Sequence, residues 1–323
     1  MEGPPGPRRM KVLVTDGLEA EALARLKKTH EVDVIEAPPQ KLLEIIGGYE
    51  ALIVRSRTKV TADVIGKAAK LKVIARAGVG VDNIDVAAAT KRRIPVVNAP
   101  AASTISVAEL ALAHMLSLAR HIPQADRSVK AGRWDKKMFE GTELHGKTLG
   151  LIGSGRIGAE VAKRAHAFGM RVISYDPYLP PNLAAERGIE LTALEAVLLD
   201  ADFLSIHAAL TDETRHMIGP KQLALLKKSA YLVNCARGEI VDEAALAAAI
   251  RNGEIAGAAI DVFEKEPPAG SPLLAVEPTS FTPHLGASTK EAQVRVGETV
   301  ADDVFRVLAG QKPEFCVNPD VFK

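Results

Sequence analysis

Residues 147–158 combine a short apolar strand, three glycines and the start of a helix. The segment reads KTLGLIGSGRIG, so Gly153, Gly155 and Gly158 stand at G-x-G-x-x-G spacing. In such a segment the first glycine permits a tight turn, the second lets the backbone approach a pyrophosphate, and the third allows the helix to pack closely on the sheet. The free N–H groups of the helix start favour an anion. The spacing therefore predicts a βαβ unit that binds a dinucleotide.

The residues that follow favour this prediction over the alternative, a flexible turn between a strand and a helix. After a predicted helix over residues 159–168, the apolar run 170–175 ends at Asp176, about 20 residues beyond the glycines as dinucleotide-binding folds require. A carboxylate at this position accepts hydrogen bonds from ribose hydroxyls and repels a 2′-phosphate. The sequence therefore favours NAD over NADP as the cofactor.

Composition argues against several other classes of protein. The chain has 41 Lys and Arg against 40 Asp and Glu, so no global field recruits nucleic acid or an anionic membrane. The two cysteines, Cys235 and Cys316, form neither a disulfide framework nor a metal cluster, and they suit a reducing compartment such as the cytoplasm. No run of 18 apolar residues is present to span a bilayer. We expect no metal, nucleic-acid or membrane partner.

Short β-branched runs alternate with helical stretches on both sides of the glycines, which is typical of parallel sheets covered by helices. The βα order stops near Pro283, and residues 289–309 form one amphipathic helix that is predicted to pack back on the N-terminal sheet. Residues 104–121 predict a buried helix ended by Ile122-Pro123, followed by a helix over 126–132. The single tryptophan, Trp134, leaves core packing and a subunit contact open.

Polar groups follow several predicted strands, where parallel sheets bind their ligands. Arg237 suits a substrate carboxylate, although a surface salt bridge is the alternative. His284 suits proton transfer, although a structural histidine is the alternative, and Glu264 and Glu266 are ambiguous between a site and a solvated loop. Hydride transfer at a hydroxyl-bearing carbon needs a base, a cation that holds the substrate and a nicotinamide, and these residue types supply the first two.

The motifs resemble those of the D-isomer-specific 2-hydroxyacid dehydrogenases, and within that family the phosphoglycerate dehydrogenases. The similarity extends over residues 10–319 and is carried by residues 76–85, 153–158, 234–243, 261–268 and 283–292. It implies an α/β fold of two Rossmann-like domains with parallel sheets. A NAD-binding Rossmann domain, residues 103–287, is inserted into a discontinuous flavodoxin-like substrate domain, residues 10–102 and 288–323. Residues 1–9, rich in Pro and Gly, are predicted to be a disordered tail.

The resemblance also implies roles for single residues. His284 is the general acid/base, Glu266 orients its ring and favours the imidazolium, and Arg237 binds the substrate carboxylate. The implied cofactor contacts are Thr104, Gly153, Gly155, Arg156, Ile157, Gly158, Asp176, Ala208, Cys235, Ala236, Asp261, Gly286 and Ala287. The implied substrate contacts are Arg55, Ser56, Arg76, Val79, Gly80 and Ser103, the last of which stands where phosphoglycerate dehydrogenases usually carry Asn.

Several functions remain open from the resemblance. It implies NAD-dependent oxidation of D-3-phosphoglycerate to 3-phosphohydroxypyruvate, the first step of serine biosynthesis, by a homodimer. The alternative is a hydroxypyruvate or glyoxylate reductase, or another D-2-hydroxyacid dehydrogenase. A third class is an NADH-sensing corepressor that binds partner proteins. Many family members carry C-terminal regulatory domains beyond the point at which this chain ends, so feedback inhibition through such a domain is not expected.

Overall fold

The structure, a computed structural model, describes residues 9–323, and the rest of the predicted tail lies outside these residues. Arg9 departs from the predicted disorder, because its guanidinium donates hydrogen bonds to the carbonyl oxygens of Lys27 (2.6 Å) and His30 (3.2 Å). The chain divides into two compact units. One unit ends its first segment at Ser103 and resumes over Thr289–Lys323, and the other spans Thr104–Ser288. In the described part of the chain, no helix is both long and apolar enough to cross a membrane.

The first segment of the discontinuous unit forms a five-stranded parallel sheet. Its strands are β1 (Lys11–Val14), β2 (Glu31–Val34), β3 (Ala51–Val54), β4 (Val73–Arg76) and β5 (Val96–Asn98). Its helices are α1 (Ala20–Thr29), α2 (Pro39–Ile45), α3 (Ala62–Lys67) and α4 (Val86–Lys91), with a 3₁₀ turn at Ile46–Gly48. The strand order β2-β1-β3-β4-β5 is the flavodoxin-like order. Val12 and Leu13 pack into different apolar clusters, so both faces of this sheet are covered.

The second unit forms a seven-stranded parallel sheet of Rossmann type. Its strands are β6 (Thr148–Ile152), β7 (Arg171–Tyr175), β8 (Glu190–Leu191), β9 (Phe203–Ile206), β10 (Tyr231–Asn234), β11 (Gly257–Ile260) and β12 (Thr279–Phe281). Its helices are α5 (Thr104–Ala119), α6 (Ile122–Lys130), α7 (Arg156–Ala167), α8 (Pro181–Glu186), α9 (Leu194–Asp200), α10 (Pro220–Leu223) and α11 (Glu243–Arg251). The 3₁₀ turns of this unit are Lys136–Phe139, Gly238–Ile240 and Pro272–Ala275. The order β8-β7-β6-β9-β10-β11-β12 places the glycine-bearing strand β6 within the sheet, and the chain reverses direction across the sheet there, where such folds bind dinucleotides.

The C-terminal segment returns to the five-stranded sheet. Helix α12 (Lys290–Leu308) begins at Thr289, whose hydroxyl accepts a hydrogen bond from the backbone N–H of Ala292, and a 3₁₀ turn at Pro319–Phe322 follows. The buried face of α12, which includes Val296, Val300 and Val304, shares one apolar cluster with strands β1, β3 and β4. This packing confirms the prediction that the last helix covers the N-terminal sheet.

Three local features differ from the sequence-based predictions. Helix α6 begins at Ile122, because the left-handed φ of 51° at His121 interrupts α5 and Pro123 fits the first turn of a new helix. Helix α8 lies in a stretch where Pro177, Pro180 and Pro181 predict a turn, and it starts at Pro181. The prediction that Trp134 packs in the core is wrong, because this side chain is 84% exposed.

Candidate active site

The three motif glycines of the second unit meet different surroundings. A Cβ atom added to Gly153, which has a φ of 85°, would lie 2.9 Å from the backbone nitrogen of Ala208. A Cβ atom on Gly158 would lie 2.4 Å from the carbonyl oxygen of Gly153, whereas one on Gly155 meets nothing within 4 Å. Gly153 and Gly158 are therefore required by the packing of the protein itself. Gly155 leaves an open cradle at the N-terminus of α7, which fits the pyrophosphate of a dinucleotide.

Asp176 connects the end of β7 to this glycine turn. Its Oδ2 accepts a hydrogen bond from the backbone N–H of Ser154 (2.7 Å), and its Oδ1 accepts from the backbone N–H groups of Tyr178 (2.9 Å) and Leu179 (3.1 Å). The hydroxyl of Ser154 donates a longer hydrogen bond to Oδ2 (3.4 Å), so a ligand hydroxyl at this carboxylate would replace or share that bond. The position fits the ribose contact expected from the sequence, and that contact stays a prediction.

Arg237 is positioned by a tight turn after β10. The side chain of Asn234 accepts from the backbone N–H of Ala236 (3.0 Å) and donates to the carbonyl oxygen of Arg237 (2.9 Å). The next residue, Gly238, lies so close to the loop after β11 that a Cβ atom on it would be 2.0 Å from the carbonyl carbon of Phe263. This close approach brings Arg237 near the loop that carries Glu266, and the charge of Arg237 contributes to lowering the pKa of that carboxyl.

His284 and Glu266 form a paired group in the second unit. The Nδ1 atom of His284 lies 2.8 Å and 3.0 Å from the two carboxylate oxygens of Glu266, so Nε2 is the ring nitrogen that Glu266 leaves for another partner. The two side chains are 44% and 40% exposed. Burial raises the pKa of Glu266, but the hydrogen bond and charge of His284, with smaller contributions from the Phe263 N–H and Arg237, lower it overall. Glu266 is therefore held as the carboxylate.

Glu264, the other acid of this loop, has different partners. Its Oε1 accepts from the backbone N–H of Glu243 (3.1 Å) and lies 3.2 Å from Nε2 of His216. The structure thus separates the two acids that the sequence left ambiguous, because Glu266 alone of the two contacts His284.

Asp261 is a buried carboxylate that organises the turn carrying His284. It is 1% exposed, and its Oδ1 accepts from the hydroxyl of Thr282 (2.5 Å) and the N–H of Leu285 (2.7 Å). Its Oδ2 accepts from the N–H of Gly286 (2.9 Å), and its backbone carbonyl accepts from the N–H of His284 (2.8 Å). The resemblance implied a cofactor contact for Asp261, which stays a prediction, and did not indicate this structural role.

The remaining cofactor candidates fall into two groups. Ala208, Ala236, Gly286 and Ala287 lie on the turns that follow β9, β10 and β12, and Arg156 and Ile157 open α7. Cys235 is buried, and burial together with the negative charge of Asp261 raises the pKa of its thiol. The thiol therefore stays protonated, which suits packing and not a nucleophilic role. Thr104 begins α5, and its buried hydroxyl has no hydrogen-bond partner among residues 9–323.

The predicted substrate residues belong to the other unit, where all except Ser103 lie at or after the carboxyl ends of β3 and β4, and Ser103 follows β5. Arg76 ends β4 and pairs in register with Val54, the residue before Arg55, so the two arginines follow adjacent parallel strands. Asp16, which the sequence did not single out, accepts from the backbone N–H of Arg55 (2.8 Å). Asn98 donates from its side chain to the carbonyl oxygen of Val79 (2.6 Å).

Accessibility differs among these substrate candidates. Ser56 is exposed, whereas Val79 and Gly80 are half-buried in the loop after β4. Ser103 is 2% exposed within the structure. The substrate-binding role of the whole set stays a prediction.

The family model described as "D-isomer specific 2-hydroxyacid dehydrogenase, NAD binding domain" matches residues 112–286, which include the glycine turn, Arg237, Glu266 and His284. The chain belongs to this family. A curated D-3-phosphoglycerate dehydrogenase from Methanocaldococcus jannaschii is 54% identical over 311 residues, which cover 96% of this chain and 59% of that relative. The chain therefore spans about three fifths of the length of the curated relatives it matches.

Solved structures resemble the chain over nearly its whole length. The TT0316 protein from Thermus thermophilus is 38% identical with a TM-score of 0.89, covering 95% of this chain and 100% of that one. A glyoxylate reductase from Paecilomyes thermophila is 30% identical with a TM-score of 0.88, covering 96% of this chain and 98% of that one. These likenesses agree with the family membership and with the two parallel sheets.

Proposed function

We propose that this chain is an NAD-dependent dehydrogenase that oxidises D-3-phosphoglycerate to 3-phosphohydroxypyruvate, the first step of serine biosynthesis. The observation that carries the proposal is the pairing of His284 Nδ1 with the Glu266 carboxylate at 2.8 Å beside Arg237, in a unit that matches the NAD-binding domain of the family. The relatives named D-3-phosphoglycerate dehydrogenase support the choice of substrate.

The proposed acid–base chemistry belongs to His284. In the oxidation direction its Nε2 takes the proton of the substrate hydroxyl, and in the reduction direction it returns that proton. Glu266 fixes the ring through Nδ1, and its carboxylate lies beside the ring that takes up the proton. Bound NAD supplies the hydride acceptor. Arg237 holds the substrate carboxylate, because its planar fork of donors matches two carboxylate oxygens.

Two further groups are proposed to set specificity. Arg55 and Arg76 follow adjacent strands of the other unit, and we assign them to the phosphate of the substrate because guanidinium groups bind phosphate oxygens through two parallel hydrogen bonds. Asp176 is assigned to the adenosine ribose, where its negative charge disfavours a 2′-phosphate. These assignments predict a preference for phosphorylated substrates and for NADH over NADPH.

The test is NADH consumption by the purified chain with phosphohydroxypyruvate, hydroxypyruvate, glyoxylate and pyruvate in parallel. We expect the highest kcat/KM with phosphohydroxypyruvate. The variant His284→Asn should lose turnover and keep NADH binding, measured by fluorescence titration. His216→Asn is the matched control, because His216 also has a left-handed φ and also pairs with a glutamate, at 3.2 Å. Full turnover in His284→Asn would refute the assigned role.

A second candidate is a hydroxypyruvate or glyoxylate reductase. It is favoured by the glyoxylate reductase that is 30% identical over 98% of its own length, and by Ser103 at the position where Asn is expected. The same four-substrate assay separates the two candidates. A clear preference for an unphosphorylated acid would exclude phosphoglycerate as the substrate, and absence of turnover with all four acids would favour the corepressor class.

We also propose that the protein is a cytoplasmic homodimer. Around helix α6 and the segment after it, four large apolar side chains are exposed: Ile122 (51%), Val129 (56%), Trp134 (84%) and Met138 (74%). Exposed apolar and aromatic groups of this kind favour a protein interface. Sedimentation velocity at several concentrations should show a dimer, and Trp134→Ser with Met138→Ser should weaken it. Unchanged association of this variant would place the interface elsewhere.

A further inference from the structure

A chain of buried polar side chains crosses the second unit from helix α5 to the turn that carries His284. His114 lies in the middle of α5 and is 2% exposed. Its Nε2 lies 3.0 Å from the hydroxyl oxygen of Thr282, and its Nδ1 lies 3.3 Å from the hydroxyl oxygen of Ser280. The hydroxyl of Thr282 in turn lies 2.5 Å from Oδ1 of Asp261. This hydrogen-bond chain therefore joins a helix, a strand end and a buried carboxylate.

The donor and the acceptor of each bond in this hydrogen-bond chain can be assigned in only one way. The Asp261 carboxylate only accepts, so the Thr282 hydroxyl donates to it and must accept from His114 Nε2. A neutral ring protonated at Nε2 then leaves Nδ1 to accept from the hydroxyl of Ser280. Burial lowers the pKa of His114, and the charge of Asp261 opposes this only in part, so the neutral form fits.

Asp261, at the end of this hydrogen-bond chain, holds the backbone around His284. Asp261 accepts the N–H groups of Leu285 and Gly286 through its carboxylate and the N–H of His284 through its carbonyl. His284 itself has a φ of 55°, a left-handed conformation that non-glycine residues keep only where the surroundings impose it. The direction of its ring toward Glu266 thus depends on the Asp261 carboxylate staying in place.

Helix α5 contacts the same turn at a second point. A Cβ atom on Gly286 would lie 3.2 Å from a methyl carbon of Val107, and Val107 stands seven residues before His114 on the same face of α5. Helix α5 therefore lies close to the turn at Gly286 and is hydrogen-bonded to it at Thr282. A shift of α5 at either point would move the turn that carries the acid–base histidine.

We propose that His114 is a positioning residue for His284: by donating from Nε2 to Thr282 it fixes the Thr282–Asp261 hydrogen bond and so holds the turn that carries the acid–base ring. The inference rests on the dehydrogenase function proposed above. It assigns a role to a histidine that is buried in an apolar helix. The role depends on Nε2 and not on Nδ1, and this difference makes it testable.

The first test compares kcat among four variants and the wild-type chain. His114→Leu fills the space and removes the donor, and we expect kcat to fall about 10-fold or more, since small displacements of reacting groups have effects of this size. His114→Gln places an amide nitrogen near the Nε2 position and should recover most of the loss. Thr282→Val should match His114→Leu, and the double variant should lose little more than either single variant.

Ser280→Ala is the matched control, because it removes the partner of Nδ1 and leaves the Nε2 donor in place. It should lower thermal stability about as much as His114→Leu while leaving kcat near the wild-type value. Loss of kcat in Ser280→Ala equal to that in His114→Leu would overturn the proposal in favour of general packing. Wild-type kcat in both His114→Leu and Thr282→Val would also overturn it.

The second test does not need turnover. The Nδ1 proton of His284 that is shared with Glu266 gives a downfield proton NMR resonance, which is assigned by its loss in His284→Asn. We expect this resonance to broaden or move upfield in His114→Leu and to persist in Ser280→Ala. An unchanged resonance in His114→Leu overturns the proposal. If the wild-type chain reduces no 2-oxo acid, the proposed function fails while this NMR comparison still decides the role of His114.

Discussion

His207 makes a specific contribution to the pH dependence of folding. This residue follows β9, and its Nε2 lies 2.8 Å from the hydroxyl oxygen of Ser205. Its Nδ1 is buried and has no hydrogen-bond partner in the described part of the chain. Burial lowers the pKa of His207 from 6.5 to about 4. The ring is therefore neutral at pH 7, and the folded protein resists its protonation.

The sign of the effect follows from proton binding in the two states. Between pH 6.5 and about 4 the unfolded chain binds a proton at His207 that the folded protein does not bind, so the free energy of unfolding falls as the pH falls. Each pH unit in this interval is worth about 1.4 kcal/mol, and the whole interval about 3 kcal/mol. Above pH 6.5 neither state is protonated and the free energy of unfolding no longer changes with pH through this group.

His207→Gln tests this reasoning, because an amide does not titrate and its nitrogen can still bond to Ser205. Urea unfolding at pH values from about 7.5 to 4 gives the free energy of unfolding of both proteins, and wild type should lose about 3 kcal/mol more than the variant over this range. His166→Gln, at an exposed histidine of α7, is the control and should follow wild type. Parallel curves for wild type and His207→Gln would refute the reasoning.

Three further predictions concern the cofactor region. Gly155→Ala should lose NADH affinity in a fluorescence titration, because the added methyl group occupies the open space at the start of α7. Gly158→Ala should lose about 1–3 kcal/mol of stability in urea unfolding through overpacking. Wild-type NADH affinity of the first variant, or wild-type stability of the second, would contradict this. Asp176→Ala should narrow the ratio of kcat/KM with NADH to that with NADPH, and an unchanged ratio would contradict the ribose assignment. Cys235→Ala should keep turnover, and complete loss would contradict a packing role for this thiol.

Local patterns predicted those elements whose signals lie within one short stretch. The glycine turn, Asp176 and the parallel sheets follow from neighbouring residues and from the alternation of strands and helices. Helix α8 was missed because Pro180-Pro181 resembles a turn, although proline is well tolerated in the first helical turn. Strand β12 gives little signal in the sequence, because it has only three residues and its extended conformation depends on pairing with β11.

Contacts between distant segments could not be predicted in this way. The hydrogen bond from His114 to Thr282 joins residues 168 positions apart, and a lone histidine in an Ala/Leu-rich helix gives no signal of its partner. The hydrogen bonds from the N–H groups of Leu285 and Gly286 to the Asp261 carboxylate also depend on the packing of two strand ends. The resemblance identified His284 and Glu266, but the parts that hold them in place emerge only from the folded structure.

The glycine motif shows how packing can separate residues that a fold needs from those that a ligand needs. The fold itself requires Gly153 and Gly158, because a Cβ atom on either would lie within 3 Å of backbone atoms. An added Cβ atom on Gly155 meets nothing within 4 Å, so crowding within the described residues does not require a glycine there. The open space lies at the start of α7, where a group from outside the chain can approach the backbone. Of the three motif glycines, Gly155 is therefore the one whose surroundings leave room for a bound dinucleotide.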